Sequence, residues 1–149
     1  MTGRLGLGDD HAALHDAARG WLERHVPREV PRAWLDGGDG PVPALPTEWR
    51  TLAADFDLLT AGVVVEELGR ACVPGPAVPT IAAVAAVARL GGAAPDGHAA
   101  IDWGVEPLAI DPGDLVSGTV PAVPAGAFAD WYLLPVAGHR WAIVERSAA

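Results

Sequence analysis

Four carboxylates stand where general acid–base chemistry could be carried out. Glu66 and Glu67 are adjacent, Asp102 is followed directly by Trp103, and Glu106 lies shortly after them. A positioned carboxylate can remove a proton from a substrate, and an indole ring can stack on a flat cofactor. The alternative for each residue is structural, since most carboxylates are exposed or cap helices, and most strand tryptophans belong to a core or an exposed platform.

The histidines offer a second candidate chemistry. His11 and His15 are one helical turn apart, a spacing that can chelate a metal ion. No third ligand has a suitable spacing, and the glutamate of a zinc hydrolase motif is missing. A surface role near the start of a helix is the simpler interpretation, so we expect no metal site.

Other covalent chemistries are excluded by residue type. The sequence contains no lysine, which rules out a Schiff base and a Walker-type phosphate site. Its serines, Ser117 and Ser147, are not in the Gly-x-Ser-x-Gly context of a hydrolase nucleophile. Cys72 is the single cysteine, so an internal disulfide or a multi-cysteine zinc site cannot form.

Net charge and hydropathy limit the classes of partner that the protein could bind. The 149 residues carry a formal net charge of −9, from 10 basic and 19 acidic residues. This balance argues against nucleic-acid binding and against docking on an anionic membrane. There is no apolar run long enough to span a bilayer and no signal-peptide pattern near Met1. We therefore expect a cytoplasmic protein without nucleic-acid or membrane partners.

Hydrophobic spacing predicts helices over most of the first part of the chain. An apolar stripe with helical spacing follows Asp9 or Asp10 and runs to His25, where prolines end it. A Gly- and Pro-rich loop comes next. An all-apolar segment before Gly91 and Gly92 is typical of a buried helix. The predicted helices are Asp9 to His25, Thr47 to Asp55, Asp57 to Ala71, and Val78 to Leu90.

After residue 95 the pattern changes to short strands separated by turn signals such as Asp111 to Asp114. Helices followed by a run of strands form an α+β plan. We predict a bundle of about four helices over residues 1–94 and a small antiparallel β-domain over residues 95–149. The predicted strands are Ala99 to Trp103, Pro107 to Ile110, Leu115 to Val123, Trp131 to Val136, and Arg140 to Val144.

Several segments resemble the acyl-CoA dehydrogenase family, in the family's order. The most specific is Val64 to Ala71, with its Glu-Glu-Leu-Gly-Arg-Ala run, followed by the link Val73 to Pro76. Pro46 to Ala53 is similar to the preceding helix of the family. Leu115 to Pro124 and Ala129 to Val136 resemble strands of its middle β-domain. The resemblance implies a truncated form of that fold, with the N-terminal helical domain and part of the middle β-domain.

The family desaturates acyl-CoA thioesters with FAD, so the resemblance implies FAD and an acyl-CoA or similar hydrophobic ligand. A base removes the α-proton in this reaction while the flavin accepts a hydride. The family segment that contacts flavin and substrate corresponds to Ile101 to Glu106, which makes Asp102 and Trp103 candidate cofactor-binding residues. The family's Thr and Ser contacts have no counterpart there, and the catalytic residue is unassigned.

The C-terminal helical bundle of the family, which carries most flavin contacts and usually the catalytic glutamate, has no counterpart in the sequence. We therefore expect a truncated subunit, not catalytic alone, that acts with a full-length flavin-dependent acyl-CoA dehydrogenase-type partner or associates with itself. The outer face of the sheet and the apolar helix Val78 to Leu90 would be under-covered, and a partner would cover them. The alternatives are a non-enzymatic protein that binds an acyl- or polyketide-like ligand, and a self-sufficient enzyme of changed chemistry.

Overall fold

The described chain consists of α-helices followed by short strands, which confirms the α+β class. The computed structural model describes residues 8–37, 58–104, 106–120 and 122–146. Its helices are α1 (Asp9–His25), α2 (Glu29–Leu35), α3 (Leu58–Arg70) and α4 (Ala77–Arg89). Its strands are β1 (Ala99–Ile101), β2 (Ala109–Ile110), β3 (Val116–Ser117), β4 (Trp131–Val136) and β5 (Arg140–Glu145), with a 3-10 turn at Gly126–Phe128.

Three of the helices pack together because each has an apolar face. Ala18 and Leu22 of α1, like Val64 and Leu68 of α3, are at most 3% exposed. Each pair is spaced by one helical turn, so it forms a stripe along its helix. α1 lies against α3, and α3 lies against α4, which is buried on most sides between Ala77 and Val87. None of the described helices is long and apolar enough to cross a bilayer.

The helices after His25 differ from the prediction. Pro27 and Pro31 were expected to end the helical region, but α2 follows after a short break. Pro31 lies in the first turn of α2, where its missing N–H would have no helical acceptor. The proline is therefore compatible with the start of a helix. The predicted helix Thr47 to Asp55 lies outside the described residues.

β4 is the central strand of a three-stranded sheet with the order β1–β4–β5. β1 runs parallel to β4, whereas β5 runs antiparallel to it, with Ala142 opposite Leu134. β2 and β3 form a separate antiparallel hairpin, and Leu108 just before β2 bridges to Val136. The prediction of an antiparallel β-domain is therefore wrong for β1. The chain between β1 and β4 crosses back to the starting end of the sheet, so it enters β4 in the direction of β1.

The bounds of the last two strands agree with the sequence better than those of the first three. β4 has its predicted bounds, and β5 extends one residue beyond the predicted Arg140 to Val144. β3 ends at Ser117, and the next residue, Gly118, has a φ of +139°. A Cβ at this glycine would lie 2.6 Å from a methyl carbon of Leu108. The backbone conformation and the close contact therefore favour glycine at the position that follows the strand.

One hydrophobic core joins the helices to the sheet. α4 packs on β1, where the Thr80 hydroxyl accepts the N–H of Ala99 at 2.9 Å and donates to the carbonyl of that residue at 3.4 Å. Trp131 and Leu133 of β4 lie in the same core and are 1% exposed. The expectation that the helix Val78 to Leu90 would be under-covered is therefore wrong, because α3 and β1 cover it. The exposed apolar side chains of the sheet lie on β5 instead.

Candidate functional site

Five ionisable side chains among the described residues meet where α1 packs against α3. Glu67 is the centre of this ion cluster and is 1% exposed, because it shares the inward side of α3 with Leu68. Arg19 of α1 holds it through one edge of the guanidinium: Nη2 donates to Oε1 at 2.8 Å and Nε donates to Oε2 at 3.2 Å. A bidentate pair of this kind fixes the orientation of the guanidinium relative to the carboxylate as well as the distance between them. It therefore helps to fix the position of α1 along α3.

Two further side chains reach the same carboxylate. His15, one turn before Arg19, places Nδ1 2.6 Å from Oε1 of Glu67. Arg70, on α3, places Nε 3.3 Å from that oxygen and Nη2 3.0 Å from Oε1 of Glu66. Nε2 of His15 lies 3.5 Å from the other oxygen of Glu66. The imidazole therefore lies between two carboxylates, and each carboxylate has a guanidinium beside it.

The cluster keeps Glu67 ionised. Its hydrogen bonds from Arg19, together with the charges of Arg19 and Arg70, lower the pKa of Glu67, although burial acts in the opposite direction. In return, the hydrogen bonds to Glu67 raise the pKa of Arg19. A carboxylate with a lowered pKa and engaged oxygens is a poor proton acceptor. Glu67 is therefore a structural anion.

We expect the cluster to make the protein less stable in acid. The pKa of Glu67 is lower in the folded chain than in the unfolded chain, so the unfolded chain binds the proton first as pH falls. The stabilisation is complete above the unfolded-state pKa of about 4.3 and is lost as pH falls through the lower folded-state pKa. Urea unfolding at a series of pH values measures this slope. Glu67→Gln should make the slope shallower below about pH 5, and equal slopes would contradict the assignment.

The same side chains could in principle hold a metal ion. His15, Glu66 and Glu67 each offer a ligand atom, and these atoms lie within 4.8 Å of one another. The two guanidiniums already occupy the carboxylates, and a cation would have to displace them against charge repulsion. We therefore interpret the cluster as an ion-pair network. His11, the residue paired with His15 by spacing, is not one of the three.

The structural alternative for both adjacent glutamates is an exposed or helix-capping position. That is correct for Glu66, which is 56% exposed, and wrong for Glu67. The available signal was the helical spacing of His15 and Arg19, which places an imidazole and a guanidinium on one side of α1. Only the contact between α1 and α3 shows that this side faces Glu67.

The predicted cofactor-binding residues follow β1 directly. Asp102 is 7% exposed, its Oδ1 accepts the N–H of Gly104 at 2.8 Å, and its own N–H donates to the carbonyl of Leu133 at 3.0 Å. Trp103 is 65% exposed. Asp102 therefore shapes the turn that leaves this indole at the surface, and flavin binding by the pair stays a prediction. Glu106, another candidate base, is exposed.

An open groove of about 970 Å³ lies beside the ion cluster. It is bounded by α2 and by the C-terminal ends of α1 and α3. Leu22, Val26 and Leu35 supply apolar walls, and Leu35 is 84% exposed. Arginines and carboxylates line the groove in equal numbers: Arg19, Arg28, Arg32 and Arg70, with Glu23, Glu29, Asp36 and Glu67. The described lining therefore combines apolar surface with charges of both signs.

No protein-family model, curated protein or solved structure matches this chain. The acyl-CoA dehydrogenase resemblance therefore rests on the sequence segments alone. The structure shows which candidate carboxylates are buried with hydrogen-bond or ion-pair partners, namely Glu67 and Asp102, and which are exposed to solvent, namely Glu66 and Glu106.

Proposed function

We propose that this chain is a subunit of an acyl-CoA dehydrogenase-like assembly, not catalytic alone, that acts with a full-length flavin-dependent partner. The family assignment is supported by the sequence segments, and the observation that supports a chain not catalytic alone is the engagement of Glu67. This carboxylate is buried deeply enough to be a shielded base, but Arg19 and Arg70 neutralise it. Asp102, also buried, accepts a hydrogen bond from its own turn.

The carboxylates of this chain do not meet the requirements on the base in a desaturation reaction. The base must face the α-carbon of the thioester with a free carboxylate oxygen, on the side opposite the flavin. Shielding from water helps to bring a carboxylate pKa towards the working pH, whereas the cluster moves that of Glu67 in the other direction. Glu66 and Glu106 are exposed and lack this shielding. The proposal therefore assigns both the base and FAD to the partner chain, with Trp103 as a ring that this chain could add at the flavin edge.

Absorbance between about 350 and 500 nm tests the proposal, because bound flavin absorbs there. The chain is purified alone and after co-expression with a full-length acyl-CoA dehydrogenase-type protein encoded next to it. We expect a colourless lone chain, a yellow complex, and acyl-CoA oxidation that requires both chains. A yellow lone chain would overturn the division of labour, and absence of colour in both preparations would overturn the flavin assignment.

Two variants sharpen this experiment. Glu67→Gln should lower the stability of the complex but keep its turnover per bound flavin. If the folded complex of this variant lost turnover per bound flavin by about 10²-fold or more, Glu67 would be identified as the base and the proposal would be contradicted. Trp103→Ala should weaken flavin binding by the complex severalfold, whereas Leu90→Ala, at a residue 59% exposed, should leave it unchanged.

The groove beside the ion cluster favours one alternative, a non-enzymatic protein that binds a hydrophobic acyl ligand. Apolar walls suit an acyl chain, and arginines such as Arg28 and Arg32 suit an anionic head group. Calorimetric titration of the lone chain with palmitoyl-CoA measures this directly. Saturable binding that Leu35→Glu abolishes would favour the alternative, and the absence of binding heat at two well-separated temperatures would exclude it, because the heat of burying apolar surface changes with temperature.

A further inference from the structure

The free edge of β5 is a second surface, separate from the ion cluster. In the described sheet this strand has a neighbour on one side only. Its residues Trp141 and Ile143 are 39% and 41% exposed. An unpaired strand that carries exposed apolar side chains is a template for another strand.

The hydrogen bonds of β4 show which of its residues bond towards β5. Leu133 and Pro135 accept the N–H groups of Asp102 and Leu108, so their backbone groups point towards the β1 side of the sheet. Backbone direction alternates along a strand. The even-numbered residues of β4 are therefore those that hydrogen-bond to β5.

The register transfers this alternation to β5. Ala142 lies opposite Leu134, so even-numbered residues of the two strands pair with each other. The backbone groups of Trp141 and Ile143 consequently point away from β4, towards the free edge. The edge thus presents N–H and C=O groups at the same two residues whose side chains are exposed.

A groove of about 560 Å³ lies along β5. Its lining includes Val136 of β4 and residues of the β2–β3 hairpin such as Leu115. Ile143 lies opposite Leu133 and therefore projects to the side of the sheet that carries the helices. Its exposure of 41% shows that the described helices leave this side chain partly uncovered.

We infer that two copies of this chain pair through β5, antiparallel, with Ala142 opposite Ala142 of the second copy. This register places Trp141 of each copy opposite Ile143 of the other. Each of these two pairs exchanges backbone hydrogen bonds, since both residues face the edge. Glu145 of each copy lies opposite His139, in the turn before the strand of the other copy, so a carboxylate meets an imidazole that can donate a hydrogen bond.

The register centred on Ala142 pairs the exposed apolar side chains of the two strands better than the two adjacent allowed registers do. A twofold axis perpendicular to the sheet keeps both helical layers on one side, so odd-numbered residues must meet odd-numbered residues. A register centred on Ile143 would place Trp141 opposite Glu145, and one centred on Trp141 would place Ile143 opposite His139. Only the register centred on Ala142 joins the exposed apolar side chains. The inference does not depend on the proposed function, because it concerns the lone chain.

Light scattering after size exclusion tests the dimer with the full chain at about 100 μM, since a weak interface must be loaded well above its Kd. The expected mass is twice 15.3 kDa. Ile143→Pro should yield the monomeric mass, because it removes an N–H that β4 does not use. Trp141→Lys should do the same, whereas Leu90→Lys, at a residue 59% exposed just after α4, should stay dimeric. Circular dichroism of each variant confirms that it is folded.

Cysteine cross-linking tests the register. In a Cys72→Ser background, Ala142→Cys should form a disulfide-linked dimer under mild oxidation. The two copies of residue 142 would form a non-hydrogen-bonded antiparallel pair, whose Cα atoms lie about 4.5 Å apart, within the range of a disulfide. Val144→Cys should not, because the two copies of residue 144 lie four positions out of register. A monomeric wild-type chain, a dimer that survives both edge substitutions, or cross-linking through Val144→Cys would each overturn the inference. Pairing of this edge only with a different protein would overturn it as well.

Discussion

Truncation of Trp131 to alanine is expected to lower the free energy of unfolding by about 3–5 kcal/mol. The indole is 1% exposed and belongs to the core that also contains Leu22 of α1 and Ile81 of α4. It stands on the central strand, where helices and sheet meet. Neither layer can move in to fill the space without breaking its own contacts, so a cavity remains and adds to the lost burial.

Urea unfolding followed by circular dichroism measures this loss. Trp131→Phe keeps most of the ring, and the indole N–H has no hydrogen-bond partner among the described residues. The phenylalanine variant should therefore cost about 1.5 kcal/mol or less. Trp103→Ala, at a residue 65% exposed, serves as a matched control and should change stability by about 0.5 kcal/mol at most. A loss at Trp131 no larger than at Trp103 would contradict the assigned core.

Replacement of Glu67 with glutamine is expected to lower the free energy of unfolding by about 1.5–3 kcal/mol, the range for hydrogen bonds to charged groups. The amide keeps the shape of the side chain but cannot accept both hydrogen bonds from Arg19. Breaking a fully buried ion pair costs more, about 3–5 kcal/mol. Here Arg19 is 44% and Arg70 58% exposed, so water can solvate the cations that remain, which limits the loss.

Two comparisons isolate the role of burial at this cluster. Glu66→Gln removes a neighbouring charge of the same chemistry, but its pair with Arg70 is an exposed i, i+4 pair, typically worth about 0.3–0.5 kcal/mol. Glu67→Leu combined with Arg19→Met replaces both partners with apolar side chains and should recover part of the loss. Equal effects of Glu66→Gln and Glu67→Gln would show that the cluster does not stabilise the contact between α1 and α3.

Local pattern was sufficient for the elements that a short window of sequence encodes. The stripe in α1, the all-apolar α4 and the strand β4 were predicted close to their observed bounds. The sequence pattern does not predict helix α2, because a proline is typical of the end of a helix as well as of the first turn, where Pro31 lies. The direction of β1 was missed because strand direction depends on how the intervening chain crosses the sheet.

The ion cluster and the edge of β5 also depend partly on local sequence and partly on tertiary contacts. The sequence by itself determined that Glu67 stands on a helix and that Trp141 and Ile143 share one face of β5, because side-chain periodicity is set within one element. Only the tertiary structure decided that α1 brings Arg19 and His15 to Glu67, which changes an expected surface glutamate into a buried anion. It also decided that β5 is an edge strand of the described sheet and that its apolar side chains Trp141 and Ile143 are exposed. Both outcomes depend on contacts between residues far apart in the chain, and those contacts follow from how whole apolar faces are buried together.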